Sequence, residues 1–577
     1  MANSSSLSLL HGPTHPPLWQ KSVGLLIDEQ ADLYGDRPAV IVPWQSVRLS
    51  FRQLAARSWA IADALLKFGL RHGDCVGIVA GNRYEYLEVF LGATRLGCPV
   101  VVLNNTYTPD ELQNALQTTR CKLLFIATSI GTRSMQRHIE HLQVQSVPNS
   151  GLSALRQMVL LGDDSELHHL PTLQTYVTFI SRWSTGADNV ETRQVAAAVV
   201  PQDIINLQFT SGTTGTPKAA MLSSNNIVNN GRFVGDALRL TPDDVVCCPP
   251  PLFHCFGLVI GFLACLTHGS SIVFPSDAFN AEAVMNSVIR ERATILLGVP
   301  TMFVAELEVL RETGLKPTSL RCGLSAGSAM PASLGERLSQ EMGLDMILIA
   351  YGMTETSPVS FITGMGDSKE RRLKSIGRIF PHTMAKVIDR EGRVLPRGQR
   401  GELCTGGFVL QKGYWENQAK TDEVMKKDAD GVVWMHTGDE VVIDNDGYGY
   451  ITGRIKDIII RGGENIFPRE IEDRLLEHSS ITEASVVGIP DDRYGEVVGG
   501  FLRLAPSTPR LSDEDVRQWA RQKLGRHKAP KHVYWVGDEG HITDFPKTAS
   551  GKHQKHILRD IGSRLVKETN ADVRARL

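Results

Sequence analysis

The stretch Thr210-Ser-Gly-Thr-Thr-Gly-Thr-Pro-Lys218 decides how the rest of the chain is interpreted. It follows an apolar run, Ile204–Phe209, that predicts a β-strand. Glycines let backbone N–H groups approach a polyanion closely, while hydroxyls and a lysine add donors and a positive charge. The stretch therefore predicts a phosphate-binding loop rather than a flexible surface turn. It is not a Walker A loop, because only two residues separate its glycines and Pro217 precedes the lysine.

Outside this loop, short apolar runs alternate with stretches of helical periodicity. Leu344–Tyr351 predicts a buried strand, and Thr301–Arg311 predicts a helix. Such alternation is typical of an α/β fold in which parallel strands form sheets that helices cover. Ligands of such folds bind at the carboxyl ends of strands, which is where the loops 210–218, 325–329 and 351–356 lie.

The pattern changes in the last third of the chain. Short strands and turns over residues 394–453 predict a small antiparallel β unit, and a helix–strand–strand–helix pattern after Pro468 predicts a smaller α+β domain. The predicted organisation is an N-terminal arm (1–24), a large N-terminal domain (25–454, including 394–453), a C-terminal domain (455–565) and a C-terminal tail (566–577).

The composition excludes several classes of protein. Of 577 residues, 42% are apolar and 21% charged, and the net charge is −2, so neither a disordered chain nor a nucleic-acid-binding protein is expected. The nine cysteines form no CxxC pair, which argues against a disulfide framework or a zinc site. The longest apolar run, Phe256–Leu266, is too short to span a bilayer, so no integral membrane segment is expected.

Further motifs follow the phosphate loop in order. They are Tyr351-Gly-Met-Thr-Glu355, Thr437-Gly-Asp439, Gly453-Arg-Ile-Lys-Asp457, Arg461-Gly-Gly-Glu-Asn-Ile-Phe-Pro468 and Pro546-Lys-Thr-Ala-Ser-Gly-Lys552. With them, residues 25–565 resemble the adenylate-forming (AMP-binding) superfamily of acyl-CoA synthetases, luciferases and peptide-synthetase adenylation domains. The stretches Pro251–Gly257, Gly413–Trp415 and Ile460–Phe467 resemble medium-chain fatty-acid CoA ligases in particular.

The resemblance implies an ATP-dependent acyl-CoA ligase with a mobile C-terminal domain. Such an enzyme activates a carboxylic acid as acyl-AMP, releases pyrophosphate, and transfers the acyl group to the thiol of coenzyme A. The expected acid is a medium-chain fatty acid or an acid of specialised metabolism. Two alternatives are an adenylating enzyme with a non-CoA acceptor, such as a carrier-protein thiol, and a nucleotide-binding scaffold without activity.

The resemblance also assigns the nucleotide site residue by residue. The loop expected to hold the β- and γ-phosphates comprises Thr210, Ser211, Gly212, Thr213, Thr214, Gly215, Thr216, Pro217 and Lys218. The residues expected around adenine are Ser325, Ala326 and Gly327, with Tyr351 stacked on the base and Gly352 and Met353 following in the second nucleotide motif.

The remaining nucleotide contacts fall on four polar residues. Thr354 is expected to contact the α-phosphate, and Glu355 to hold Mg²⁺, which prefers carboxylate oxygens. Asp439 is expected to accept hydrogen bonds from the ribose hydroxyls, with Arg454 assisting.

The C-terminal motif supplies the expected catalytic lysine. Lys552 would bridge the attacking carboxylate and the α-phosphate, since an ammonium stabilises charge that develops between two ligands. Lys547 is the local competitor, and Lys552 is favoured because it ends the Ser-Gly-Lys element. Lys456 matches the hinge position. Rotation about it would bring Gly462 and Gly463 to line a narrow tunnel for the CoA thiol.

His254 is expected to gate the carboxylate site, and the alternative is a buried structural histidine. Apolar neighbours predict an acyl pocket. The expected walls are Leu258, Val259, Phe262, Met353 and Val359.

The sequence ends Ala575-Arg576-Leu577, a small–basic–leucine variant of the SKL peroxisomal signal. Peroxisomal import by the receptor that reads such tripeptides is therefore expected, with the cytosol as the alternative.

Overall fold

We describe a computed structural model of the protein. It describes residues 7–145, 152–162, 173–186, 189–210, 217–328, 330–506, 508–538, 541–548 and 551–576. Six residues of the predicted phosphate loop, Ser211 to Thr216, and the C-terminal Leu577 lie outside the described residues. Among the residues that are described, no helix is long and apolar enough to cross a membrane.

The strands alternate with helices through most of the chain. The strands are β1 (Leu9–His11), β2 (Pro38–Val42), β3 (Val47–Ser50), β4 (Val76–Val79), β5 (Val100–Val102), β6 (Leu123–Ala127), β7 (Ser129–Ile130), β8 (Arg133–Ser134), β9 (Gln157–Leu161), β10 (Gln174–Thr175), β11 (Ile204–Thr210), β12 (Lys218–Ser223), β13 (Val245–Cys247), β14 (Ser271–Val273), β15 (Ile295–Gly298), β16 (Cys322–Ala326), β17 (Ile347–Gly352), β18 (Val359–Ile362), β19 (Arg378–Ile379), β20 (Thr383–Ile388), β21 (Arg400–Gly407), β22 (Met425–Lys427), β23 (Val433–Ile443), β24 (Gly449–Arg454), β25 (Ile459–Arg461), β26 (Glu464–Ile466), β27 (Ile481–Asp491), β28 (Gly495–Leu504) and β29 (His532–Trp535).

Most helices are preceded by a Ser, Thr or Asn residue whose side chain caps the first turn, and several begin with Pro, as helix N-termini prefer. The α-helices are α1 (Val23–Tyr34), α2 (Phe51–Lys67), α3 (Tyr84–Arg95), α4 (Pro109–Thr118), α5 (Gln136–Gln145), α6 (Tyr176–Trp183), α7 (Val190–Ala197), α8 (Ser224–Leu238), α9 (Ala264–His268), α10 (Ala281–Arg290), α11 (Pro300–Thr313), α12 (Ala332–Met342), α13 (Lys369–Lys374), α14 (Gln418–Val424), α15 (Pro468–Leu476), α16 (Asp513–Arg521) and α17 (Lys555–Arg576).

Two large sheets form the body of the molecule, in agreement with the predicted α/β fold. One has the strand order β10-β9-β6-β4-β5-β11-β12 and the other β19-β18-β17-β16-β15-β13-β14-β2-β3. Their inner strands pair in parallel, and antiparallel partners lie at the edges, such as β12 beside β11 and β18 beside β17. The inner strands are buried on both faces and are therefore almost wholly apolar.

The predicted antiparallel unit is a third sheet in the order β1-β20-β21-β23-β22, with β24 paired to β23. It extends beyond residues 394–453, because β20 and the N-terminal strand β1 join it. Leu9, in the predicted arm, pairs with Lys386. A short strand that pairs far along the chain leaves no local periodicity from which to predict it.

The C-terminal residues form a separate small sheet in the order β26-β25-β28-β27, with β29 beside β28, and helices α15, α16 and α17 pack on it. The helix that begins after Ser512 is capped as the sequence predicts, since the Ser512 hydroxyl accepts a hydrogen bond from the Asp515 N–H at 3.1 Å. This α+β unit has its own apolar clusters and carries the Lys552 motif.

Candidate active site

A cavity of about 750 Å³ opens where the carboxyl ends of β11, β16 and β17 meet the third sheet and the C-terminal domain. Most of the predicted site residues line it. They are Thr210, Pro217, Lys218, His254, Ala326, Gly327, Tyr351, Gly352, Met353, Thr354, Glu355, Arg454, Lys456 and Lys552. Residues distant in sequence thus share one space, at the edge of the sheets where ligands of α/β folds bind.

Four of the predicted residues lie elsewhere. Ser325 is buried within β16, one residue before the cavity wall begins at Ala326. Asp439 lies behind the wall, in contact with two residues that line it. Gly462 and Gly463 form the exposed turn between β25 and β26 and do not line the cavity. In this arrangement of the domains the glycine turn does not contribute to the site.

The phosphate loop begins and ends at the cavity. Strands β11 and β12 form an antiparallel hairpin in which Thr210 pairs with Lys218. The hairpin therefore brings the first hydroxyl and the lysine of the loop together at its base. The Nζ atom of Lys218 lies 5.3 Å from the centre of the Tyr414 ring.

Asp439 is held by two neighbours through both of its carboxylate oxygens. The Tyr351 hydroxyl donates to Oδ2 at 2.7 Å, and Arg454 Nε donates to Oδ1 at 3.0 Å. The charge of Asp439 raises the pKa of Arg454, which keeps the guanidinium protonated. Burial, with the neighbouring Asp439 charge, raises the pKa of the Tyr351 phenol, which stays a hydrogen-bond donor.

A β-bulge presents Asp439. Glu402 of β21 pairs with Glu440 of β23, whereas Cys404 pairs with His436, so residues 437–439 bulge out of the ladder. The Glu402 carboxylate stabilises this bulge through two contacts. Its Oε1 accepts the Gly438 N–H at 3.2 Å, and its Oε2 lies 3.0 Å from Nδ1 of His436.

Glu355 presents a carboxylate to the cavity from a short 3₁₀ turn, Thr354–Thr356. The Tyr414 hydroxyl donates to its Oε1 at 2.8 Å, which fixes the side chain. A buried, oriented carboxylate at the edge of a polar cavity fits a hard divalent cation such as Mg²⁺. Glu355 could therefore hold the cation beside the phosphate loop.

Lys552 and Lys547 have different surroundings. Lys547 Nζ forms an ion pair with Glu483 at 2.5 Å, whereas the Lys552 ammonium has no ion pair among the described residues. Burial, together with the positive charge of Arg454, lowers the pKa of Lys552, while Asp439 and Glu355 oppose that effect. The charges of Arg454, Asp439 and Glu355 therefore act on Lys552 where it lines the cavity.

His254 is neutral, and its surroundings define which ring nitrogen carries the proton. Its Nδ1 accepts the Phe256 N–H at 3.1 Å, so the proton of the neutral ring is on Nε2. Burial, with the nearby charge of Lys552, lowers the pKa of His254 to about 4. The ring can therefore donate one hydrogen bond to an acid in the cavity.

Two matches to known protein families cover most of the chain. Residues 27–415 match the AMP-binding enzyme family, and residues 470–552 match the AMP-binding enzyme C-terminal domain. The chain belongs to the AMP-binding enzyme family.

Relatives of this AMP-binding enzyme match it along nearly its whole length. It is 45% identical to an acyl-CoA ligase, SID4, of Ajellomyces capsulatus, over 98% of this chain and 95% of the relative. It is 34% identical to the mitochondrial medium-chain acyl-CoA ligase ACSF2 of Bos taurus, over 96% and 89%. The crystal structure of an anthranilate CoA ligase, AuaEII, in complex with anthranoyl-AMP matches with a TM-score of 0.83 at 25% identity, over 96% and 99%.

Three of the five residues predicted to form the walls of an acyl pocket do not line the cavity of this AMP-binding enzyme. Met353 and Val359 line the cavity as predicted, but Leu258, Val259 and Phe262 are buried behind it. Residues Phe256–Leu263 form a π-helix. The face of this helix that meets the cavity presents Phe256 and Ile260 instead. The wider turn of a π-helix is not readable from an all-apolar run.

Residues of the site that were not predicted from the sequence include Tyr414, Glu402 and Gln208. Tyr414 holds Glu355, Glu402 holds the Asp439 bulge, and the buried Gln208 accepts from the Cys255 thiol at 3.0 Å beside the cavity. A usable signal existed only for Tyr414, which lies in the Gly413–Trp415 stretch that resembles medium-chain ligases.

Proposed function

We propose that this enzyme joins a carboxylic acid to coenzyme A in two half-reactions, with acyl-AMP as the intermediate and Lys552 acting only in the first. The chain is an AMP-forming acid:CoA ligase, as its family and relatives indicate. One observation carries the proposal for the mechanism. Lys552 of the C-terminal domain lines the same cavity as Lys218, Thr354 and Glu355 of the large domain.

In the first half-reaction, a carboxylate oxygen attacks the α-phosphorus of ATP. The bond between that phosphorus and the bridging oxygen breaks, and pyrophosphate leaves. Lys552 neutralises charge on both the acid and the α-phosphate, which preorganised cations do efficiently in a closed site. Lys218 faces the departing pyrophosphate. Mg²⁺, when bound to Glu355, would supply further neutralisation of phosphate charge.

In the second half-reaction, the CoA sulfur attacks the acyl carbon and AMP leaves with the bonding electron pair, while the thiol proton is lost to solvent. Lys552 occupies the cavity in the arrangement described above. We therefore propose that the C-terminal domain rotates about Lys456 after adenylation. The exposed Gly462–Gly463 turn is free of side chains and suits a narrow passage for the thiol.

We propose an acid with an apolar body as the substrate. Support comes from the apolar wall next to His254, which Phe253, Phe256, Ile260 and Val359 form. His254 Nε2 would orient the carboxylate at the inner end of this wall. Medium-chain fatty acids and acids of specialised metabolism both fit this chemistry.

Product analysis tests the reaction. With acid, ATP, Mg²⁺ and CoA, the expected products are acyl-CoA, AMP and pyrophosphate. Without CoA, acyl-AMP should still form and the thioester should not. Formation of ADP and phosphate, or transfer to an acceptor without CoA, would contradict the proposal.

A panel of acids identifies the substrate class. Straight-chain acids of increasing length and compact branched or aromatic acids are compared by acid-dependent pyrophosphate release. A Phe256→Ala variant should shift the preference toward bulkier acids, since the substitution removes a wall of the apolar pocket. An unchanged preference would remove Phe256 from the pocket.

A further inference from the structure

The described residues on either side of positions 549–550, Pro546–Thr548 and Gly551–Gln554, pair antiparallel, and we call this pairing the Lys552 hairpin. Lys547 and His553 face each other across an antiparallel bridge, and the Thr548 N–H donates to the Lys552 carbonyl at 2.8 Å. The Lys552 N–H donates in turn to the Thr548 hydroxyl at 3.1 Å. The Lys552 backbone therefore lies directly beside the base of the hairpin, and the position of the base sets where the Lys552 side chain begins.

A single carboxylate holds both strands of that base. Glu483, on β27, is largely buried, and its Oε1 accepts from Lys547 at 2.5 Å and from His553 Nε2 at 2.8 Å. Arg503 Nε donates to the other oxygen, Oε2, at 3.0 Å. Burial alone would raise the pKa of Glu483, but the hydrogen bonds from His553 and Lys547 lower it to about 2. The Glu483 carboxylate is therefore ionised at neutral pH. We call Glu483, with the Lys547, His553 and Arg503 side chains that it holds, the Glu483 clamp.

The Glu483 clamp also links the hairpin to the core of the C-terminal domain. Its strand, β27, pairs along its length with β28, and Arg503 of β28 adds a second contact through Asp544. The His553 ring stacks on Phe545 with centres 4.5 Å apart. The base of the hairpin is thus anchored to the sheet of the C-terminal domain.

We propose that Glu483 is a positioning residue for Lys552, and that through Lys547 and His553 it places the Lys552 ammonium in the nucleotide site for acid adenylation. The inference rests on the proposed role of Lys552. It adds a function for Lys547, which serves as one arm of the clamp rather than as a competing catalytic lysine.

The test measures the two half-reactions separately in Glu483→Ala and Glu483→Asp. Acyl-AMP formation without CoA is expected to slow by about tenfold or more in Glu483→Ala, because a misplacement of about 1 Å at a reacting centre costs up to about a hundredfold. Glu483→Asp should recover part of the rate. Thioester formation from supplied acyl-AMP should stay at the wild-type rate, since Lys552 takes no part in it.

Glu472→Ala is the matched control. Glu472 is a buried carboxylate of the same domain that holds Lys555 at 2.7 Å and does not contact the hairpin base. This variant should keep both half-reactions. If Glu483→Ala slows both half-reactions equally, or if Glu472→Ala slows adenylation as much as Glu483→Ala does, Glu483 only stabilises the domain and the inference is wrong.

A double variant separates this inference from the proposed function. If Glu483 acts through Lys552, Glu483→Ala should add no further loss of adenylation in a Lys552→Ala background, because coupled residues are not additive. An additive loss overturns the inference. Full adenylation by Lys552→Ala itself would instead overturn the proposed role of Lys552, and with it the inference.

Discussion

Lys552 and Lys547 belong to one short motif, but the fold gives them different tasks. Lys547 is paired with Glu483, while Lys552 lies among Arg454, Asp439 and Glu355. A pairing of that kind depends on a residue of β27 that is far away in sequence. From the sequence, Lys552 is favoured as the catalytic lysine only by its resemblance to the family motif. In the structure, the pairing of Lys547 with Glu483 and the position of Lys552 in the cavity favour the same residue.

The protonation of Lys552 should set the alkaline limit of adenylation. Burial lowers its pKa, so the ammonium loses its proton at a lower pH than an ordinary lysine, and the rate of acyl-AMP formation should fall as pH rises through that value. His254, with its pKa lowered to about 4, should add no transition between about pH 5 and pH 8. The measurement is the pH profile of acyl-AMP formation.

Lys552→Arg is the control for this profile, because a guanidinium keeps its charge at alkaline pH. The remaining activity of this variant should lack the alkaline fall. An identical fall in the variant would show that another group sets the limit.

Tyr414 should govern the use of Mg²⁺. Tyr414→Phe removes the hydrogen bond to Glu355 and should raise the Mg²⁺ concentration for half-maximal pyrophosphate release by roughly tenfold, because a hydrogen bond to a charged group contributes about 1.5 kcal/mol or more. Calorimetric titration of the variant with Mg²⁺ and ATP should show the same weakening. Tyr450→Phe, which removes a hydroxyl that contacts Asp444 at 3.2 Å, should change neither value.

At the scale of elements, the site depends on how strands end. Strand β11 ends at the phosphate loop, β17 ends before Thr354, and β23 bulges at Asp439. The sequence predicts the ends of β11 and β17, because in each case an apolar run stops at a polar motif. The bulge does not follow from the sequence, since it depends on the register between β21 and β23.

Loss of the bulge support should weaken nucleotide binding. Glu402→Ala removes the acceptor of the Gly438 N–H and the partner of His436, so Asp439 loses its fixed position. Asp439 is the residue expected to accept hydrogen bonds from the ribose hydroxyls of ATP. The KM for ATP should therefore rise by roughly tenfold, as expected when an oriented contact worth about 1.4 kcal/mol is lost.

Glu402→Gln is the comparison, since its amide oxygen can still accept the Gly438 N–H and should retain most of the affinity for ATP. The account of the bulge fails if Glu402→Ala binds ATP as the wild type does, or if both variants lose affinity equally.

For the whole molecule, the α/β class, the part of the third sheet within residues 394–453 and the α+β C-terminal unit are predictable from the sequence, because periodicity is local. The contacts between the units are not. A Cβ at Gly551 would lie 3.3 Å from Thr301 Oγ1, so the Lys552 hairpin rests on helix α11 of the large domain. Tyr414 and Glu402 likewise act through partners that only the folded chain brings near.

Rotation of the domains should be required for the second half-reaction alone. Lys456 lies in a 3₁₀ turn, Ile455–Asp457, and the usual φ of 3₁₀ residues is close to the angle of about −65° at which proline is fixed. Lys456→Pro should therefore keep the observed arrangement, form acyl-AMP and transfer it slowly to CoA. Lys456→Ala should complete both half-reactions, and equal rates of thioester formation in the two variants would contradict a hinge at this position.

The most direct test of the central claim is the rate of each half-reaction in Lys552→Ala. Because its ammonium serves only adenylation, acyl-AMP formation should fall by about a hundredfold or more, as when a preorganised charge-stabilising group is removed, while supplied acyl-AMP and CoA should give thioester at the wild-type rate. Undiminished acyl-AMP formation, or an equal loss of both rates, would contradict the claim.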